Sequence, residues 1–324
     1  MAPRPFRFSV TAPPFGGSAR AWADAVRTVE DMGFDALVVA DHFTQGYDAE
    51  PAVALAAAAM VTERLRVQTG VLGVDYRHPV LVHRLAASLD AVSQGRLTLG
   101  LGAGWMVSDY EAAGLPYDPP GVRIERLQEC VAIVKGLFGP GPFTFEGRHY
   151  RVKDLQGAPS PVQRPHPPIL LGGGGPRMLR FAGREADIVG INARQHTGEL
   201  GRHAVVDLGE EPVHQKIAWV REGAEQVGRD FDDIELSINS WLVRVVASTS
   251  EAEAFLDRIA SRFDVAPALL ARSPSVLVGT ASQCVESLLA RRESLGVNRF
   301  QLDAGFAPKE LDALAPIVSA LAGT

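Results

Sequence analysis

Short apolar runs rich in β-branched side chains alternate along the chain with longer stretches whose apolar positions recur every three or four residues. The first pattern predicts strands and the second helices, so their regular alternation predicts repeated βα units around a parallel sheet. Eight strands are expected, at 6–10, 36–40, 67–71, 97–101, 169–172, 188–191, 234–238 and 300–303, the seventh able to run on through 242–246. Trp22, Ala25, Val26 and Val29 share one face of a helix that Gly33 stops. Pro79 suits a first helical position, Leu85, Ala86 and Leu89 continue that helix, and Gly95 ends it. Ile124, Leu127, Val131, Val134 and Phe138 form another stripe, Thr280 and Gln283 match a capping box, and Leu311, Leu314, Ile317, Val318 and Leu321 mark a last helix. Eight units without a compositional break predict one α/β domain over 1–324, a closed parallel β/α barrel in preference to an open doubly wound sheet.

Three stretches break the repeat and are expected as rim insertions, at about 140–168, 195–212 and 263–275. The first contains FTFEGRHYRV, which alternates like a hairpin around Glu146 and Gly147 before a proline-rich return. Such inserts serve as lids and substrate loops or are plain variable loops, and both readings stay open.

Composition narrows the class. Hydrophobic residues make up 46% of the chain, enough for a large core. The Ala-rich run at 52–61 stops at Glu63 and Arg64, so it fits a buried helix and no membrane span is expected. MAPRPFRFSV lacks an apolar export region, which makes the cytoplasm the expected location. Cys130 and Cys284 are far apart and outside any CxxC, arguing against a disulfide framework or a cysteine metal site. No histidine pair has a metal-ligand spacing, and GxSxG is absent. A net charge of −6 argues against broad nucleic-acid binding and leaves a small molecule as the expected partner.

Candidate chemistry gathers at predicted strand ends, where barrels of this kind carry their active sites. The second strand ends VVADHF, placing Asp41 and His42 at the mouth. A histidine beside a carboxylate can exchange a proton near neutral pH or bond a bound ring; alternatively Asp41 caps the next turn while His42 packs. The third and fourth strands end TGVLGV and GLGAGW, small residues that let a planar ligand approach the backbone. Gly100, Gly102 and Gly104 imitate a dinucleotide fingerprint, but no acidic residue follows at the usual distance. GGGGPRMLR then sets Gly172, Gly173, Gly174 and Gly175 before Pro176 and Arg177, where free N–H groups, a helix dipole and a guanidinium favour a phosphate.

Taken together, DHF, TGVL, GLGAGW and GGGGPRMLRFAGREADIVG resemble the luciferase-like oxidoreductases, over most of the chain, and within them the actinobacterial branch that uses the deazaflavin coenzyme F420. The resemblance implies a single (β/α)8 TIM barrel of the bacterial-luciferase-like type with rim insertions. It implies that Asp41 and His42 border the ring, that Thr69, Gly70 and Val71 press on its back through a non-proline cis peptide, and that Ala103 and Gly104 line its edge. Gly172 to Gly175, followed by Pro176 and Arg177, would hold the phosphate, and a homodimer is implied as well. The family's sugar-phosphate dehydrogenases carry Trp shortly after Asp-His and Glu after the strand-four glycines; Gly46 and Trp105 stand here. Trp105 offers instead an aromatic wall for an apolar or conjugated substrate.

The leading expectation is an F420-dependent oxidoreductase transferring a hydride to or from a small organic substrate, with His42 as proton donor or acceptor. Its competitors are an FMN-dependent monooxygenase served by a separate flavin-reducing enzyme and a flavin-binding barrel without catalysis.

Overall fold

The computed structural model describes residues 4–44, 46–47, 49–195, 201–303 and 308–324. The strands are β1 Arg7–Thr11, β2 Ala36–Val39, β3 Arg66–Thr69, β4 Leu72–Gly73, β5 Leu97–Gly102, β6 Pro142–Glu146, β7 Arg151–Gln156, β8 Ile169–Gly173, β9 Ile188–Ile191, β10 Glu235–Ser240, β11 Leu242–Val245, β12 Val276–Gly279 and β13 Arg299–Leu302. The main sheet has the order β3-β2-β1-β13-β10-β9-β8-β5-β4, and β3 pairs β5 as well, so the sheet returns on itself. The registered pairs in it are parallel. Because β3 and β4 are two segments of one strand interrupted at Gly70 and Val71, this is an eight-stranded parallel barrel. All eight expected strands are present in it.

The helices follow the expected punctuation. They are α1 Ala19–Asp31, α2 Pro51–Val61, α3 Pro79–Val92, α4 Val107–Ala113, α5 Pro120–Phe138, α6 Pro176–Glu185, α7 Arg202–Asp207, α8 Glu210–Glu225, α9 Thr249–Phe263, α10 Pro267–Arg272, α11 Ala281–Leu295, α12 Pro308–Asp312 and α13 Ala315–Leu321. Pro79 and Pro176 open α3 and α6, where a missing N–H costs nothing. Thr280 and Gln283 form the capping box of α11. No helix among the described residues is long and apolar enough to cross a membrane. The expected buried helix, α2, buries Ala54, Leu55, Ala58 and Ala59 but leaves Val53 and Met60 exposed, so only one side of it is core.

Two compact units are distinguished. One comprises Met1–Pro13, Thr28–Ala36 and Gly172–Thr324; the other comprises Pro14–Arg27 and Leu37–Leu171. In the first, Phe6, Phe8 and Phe300 are buried and their rings lie 5.8 to 6.5 Å apart. In the second, Leu37, Leu55, Val67, Leu97, Leu99, Leu101 and Leu127 are wholly buried. Each such side chain contributes about 1.5–3 kcal/mol relative to exposure.

Several sequence expectations need correction. Residues 242–246 do not prolong the seventh strand: β11 leaves the barrel and pairs in parallel with β12 as a separate two-stranded sheet. The expected loop at 263–275 contains α10, whose Leu270 packs with Val205, Leu256, Ala260 and Val276. The stretch 195–212 contains α7 and the start of α8, while its residues 196–200, His196 among them, lie outside the described residues. The last helix is two, α12 and α13. The hairpin β6–β7 is present, but Glu146 pairs Arg151, so the turn spans 147–150 rather than centring on Glu146 and Gly147.

The proline-rich return after this hairpin is pinned by Asp90 of α3, wholly buried. Its Oδ2 accepts the N–H groups of Val162 (2.7 Å) and Gln163 (3.0 Å), and its Oδ1 accepts Gln163 Nε2 (2.7 Å). Asp90→Ala leaves the N–H groups of Val162 and Gln163 without an acceptor, while Gln163 Nε2 keeps the Leu97 carbonyl (2.8 Å), and is expected to cost about 2–4 kcal/mol. Urea denaturation checks this; a loss under about 0.5 kcal/mol would show that water replaces the carboxylate.

Candidate active site

The chain leaves β2 through Ala40 into Asp41 and His42, and the two side chains have different surroundings. Asp41 is 4% exposed. Its carboxylate accepts both Nη groups of Arg77 (2.5 and 3.0 Å) and the N–H of Gly73 (3.0 Å), and Arg77 continues to Glu50 (3.0 Å). Burial works against the Arg77 charge, yet Asp41 and Glu50 raise its pKa above the ordinary value. A bidentate pair of this kind fixes orientation, so Asp41 anchors the end of β2 to β4 and the segment leading into α3.

His42 lies beside α4. Its Nδ1 is 2.6 Å from Oδ2 of Asp109, a wholly buried residue. Oδ1 of Asp109 accepts the N–H groups of Phe43 and Thr44 (3.1 Å each) and Oγ1–H of Thr44 (2.7 Å). Burial pushes the Asp109 carboxyl up, but these bonds from His42, Thr44 and Phe43 hold it below the usual carboxylate range. The His42 ring sits 4.8 Å from that of Tyr47 and 5.6 Å from that of Trp105, which meets it edge-on. Phe43, Tyr47 and Tyr117 are each more than a third exposed, an uncommon concentration of open aromatic surface.

The interruption between β3 and β4 contains a cis peptide bond between Gly70 and Val71, at the expected position. Thr69 is wholly buried and its hydroxyl faces β5: Oγ1 accepts the N–H of Gly100 (2.7 Å) and donates to its carbonyl (2.9 Å). Gly70 and Val71 are partly exposed. A Cβ on Gly70 would lie 2.0 Å from Val38 Cγ1, one on Gly100 2.1 Å from the Thr69 carbonyl oxygen, and one on Gly102 2.6 Å from Val71 Cγ2. Gly100 and Gly102 thus make room for the neighbouring strand segment, as glycines at the ends of barrel strands commonly do. Gly104 has φ +72°, and a Cβ there would meet the Tyr110 hydroxyl. Arg123 donates to the carbonyls of Ala103 and Gly104 and lies over the Tyr117 ring, which fixes this turn. Tyr110 donates to Asp75 (2.9 Å), whose pKa burial raises although Tyr110 and Arg126 act against it.

β8 runs into α6 as expected, the chain passing into the other unit at Gly172. A Cβ on Gly172 would lie 2.9 Å from Asn192 Nδ2, one on Gly173 2.3 Å from Met178 Cγ, and one on Gly174 2.4 Å from the backbone of Ala193 and Arg194. Only Gly175, the residue before Pro176, has nothing within 4 Å of that position. The first-turn N–H groups of α6 are those a helix leaves without internal acceptors, and Arg177 beside them is exposed. Gly174 is therefore confined by backbone, Gly172 and Gly173 face the side chains of Asn192 and Met178, and the open side of the turn is at Gly175. At the ends of β1 and β13, Thr11 donates to Asp303 (2.6 Å), whose carboxyl pKa burial raises. A cleft of about 690 Å³ in this unit is lined by Trp241, Leu242, Ile259, Phe263 and their neighbours but includes none of the strand-end groups above. Donor geometry is a better guide to chemistry than cavity size here, and it favours the His42 side.

Sequence reasoning missed Asp109, Arg77 and Arg123. The signal for Asp109 is faint: an acidic residue in the first turn of a helix directly after the GLGAGW mouth loop.

The family model described as luciferase-like monooxygenase matches residues 5–299. An F420-dependent glucose-6-phosphate dehydrogenase of Intrasporangium calvum is 31% identical over 227 residues, covering 68% of this chain and 64% of that protein. An FMNH2-dependent dimethylsulfone monooxygenase of Pseudomonas putida is 31% identical over 162 residues, 49% of this chain and 44% of that protein. The match spans 59% to 64% of the length of the first three curated relatives. The coenzyme F420-dependent tetrahydromethanopterin reductase of Methanopyrus kandleri superposes with a TM-score of 0.77 over 99% of both chains at 18% identity, a likeness of fold.

Proposed function

Because this chain belongs to the luciferase-like monooxygenase family, we propose that it is an F420-dependent oxidoreductase moving a hydride between the deazaflavin and a small apolar or conjugated substrate. The observation that carries this reading is the His42 ring, held by Asp109 at the end of β2 and flanked by Trp105 and Tyr47. Named relatives at about 30% identity that depend on F420 support the choice of cofactor.

The residues suit such a group. The partly exposed Gly70–Val71 backbone and the Ala103–Gly104 turn braced by Arg123 are small-residue segments that suit close approach of a planar ring. Within the other unit, and considered by itself, the turn at Gly175 and Arg177 at the start of α6 suits an anionic group. F420, when bound, supplies the two-electron hydride chemistry; the protein supplies orientation, shielding from water and a proton path. Hydride transfer at a carbon bearing oxygen leaves one proton to be moved, and His42 holds or releases it through Nε2. Trp105, Phe43, Tyr47 and Tyr117 favour an apolar or conjugated partner over a sugar phosphate.

A two-armed screen tests the reading: protein with oxidised or reduced F420 under anaerobic conditions, and protein with reduced FMN in the presence of oxygen, each against a panel of cyclic alcohols and ketones, followed by cofactor absorbance, cofactor binding and oxygen uptake. The expected result is a change that requires protein and one substrate but no oxygen. Turnover seen only with reduced FMN, and consuming oxygen, would overturn it in favour of a monooxygenase. Binding of either cofactor without turnover across the panel would favour a non-catalytic barrel.

A further inference from the structure

We infer that Asp109 is a positioning residue that fixes the tautomer and orientation of His42, so that Nδ1 carries the proton and the Nε2 lone pair faces outward from the pair. Four donors or donor-capable atoms converge on this one carboxylate. Oδ1 receives two backbone N–H groups and the Thr44 hydroxyl, and Oδ2 meets His42 Nδ1 at 2.6 Å. A carboxylate so surrounded accepts only, and an acceptor opposite Nδ1 requires that nitrogen to be the N–H of the neutral ring. The contacts reach back to the two residues after His42, so the same group that selects the tautomer also sets the path of the chain at Phe43 and Thr44. Thr44 Oγ1 is in addition 2.9 Å from Ser108 Oγ on α4, which ties the loop to the helix at a second point.

The other nitrogen is differently placed. His42 Nε2 has no hydrogen-bond partner among the described residues, and the side chain is 16% exposed. The ring is kept from turning over by Tyr47 and the edge-on Trp105. The titratable and charged groups around this assembly include Asp109 from α4, Tyr47 from the loop, Asp41, which precedes His42 and pairs with Arg77, and Tyr76, which packs on Phe43 and whose pKa burial raises, with Asp109 and Asp41 adding to the shift. Carboxylate-oriented imidazoles of this type have one nitrogen committed and the other available for proton exchange, because a turn of the ring would lose the charge-assisted bond.

This inference deepens the proposed function but can be tested without it. Nitrogen-15 NMR of the histidine side chains in the cofactor-free full chain, above the histidine titration range, reads the tautomer directly, with His42→Gln identifying the resonance. The expected wild-type pattern is protonated Nδ1 and bare Nε2; a neutral ring protonated at Nε2 overturns the inference whatever the variants do. In Asp109→Asn the side-chain NH2 can face Nδ1, so the pattern should shift toward the Nε2–H tautomer; an unchanged pattern in a folded variant also overturns it. Thr44→Val, which removes one bond to Oδ1 and none to His42, should preserve the wild-type tautomer. If the F420 reading holds, Asp109→Asn additionally lowers kcat about 100-fold with KM changed less than about twofold. The expected NMR pattern without any F420 turnover would defeat the functional reading and leave the positioning role standing.

Discussion

His42→Ala is expected to lower turnover with F420 by about 10²–10⁴-fold, the range that a positioned acid–base group supplies, while changing cofactor affinity little. The separation follows from the geometry. The proposed role of His42 rests on Nε2 of its ring, whereas the surface proposed for the cofactor is backbone at Gly70–Val71 and Ala103–Gly104. The substitution also leaves Asp109 Oδ2 without Nδ1, but Oδ1 retains its three donors from Phe43 and Thr44. The loop should therefore stay in place. Steady-state kinetics paired with a cofactor titration checks both halves: unchanged turnover removes His42 from the chemistry, and a loss of affinity matching the loss of turnover makes it a binding residue.

Gly100→Ala should be strongly destabilising for so conservative a change, costing about 3 kcal/mol or more. A Cβ there would stand 2.1 Å from the Thr69 carbonyl oxygen and 2.9 Å from Val71 Cγ1. The nearest obstacle is backbone, which cannot rotate aside. The two strands would have to separate, and the paired bonds between Thr69 Oγ1 and the Gly100 peptide groups, 2.7 and 2.9 Å, would break with them. Gly175→Ala is the matched control. Nothing lies within 4 Å of its added carbon and its φ is −97°, so stability should be unchanged. Denaturation midpoints compare the two; equal losses would show that close approach of β3 to β5 is not what requires glycine at position 100.

The barrel was legible because each strand is a short apolar run bounded by glycine, proline or a polar turn, and because the longer helices show their stripes over several turns. Pro79, Pro176 and the Thr280–Gln283 box marked helix starts correctly, since these signals act within one turn of backbone. Short elements were harder. In α7 and α10 six residues give too little periodicity to tell a helix from a loop. The half-buried LVRV of β11 reads as a continuation of β10 because pairing with β12, across some thirty residues of chain, leaves no local trace.

The site divides along the same line. Asp41 and His42 were found from their place at a strand end, yet what each does depends on partners 36 and 67 residues away, Arg77 and Asp109. Local sequence does not record such pairings. The glycines carry two readings that local sequence does not separate, room for a ligand and room for the chain, and only the fold shows that a Cβ at Gly100, Gly102, Gly173 or Gly174 would press on a neighbouring part of the chain.

The choice of cofactor is the point on which the account turns, and equilibrium titration of cofactor-free protein with F420 and, separately, with FMN tests it most directly. The account predicts that F420 binds at least about tenfold more tightly, a difference of about 1.4 kcal/mol. FMN binding tighter than F420 would contradict it.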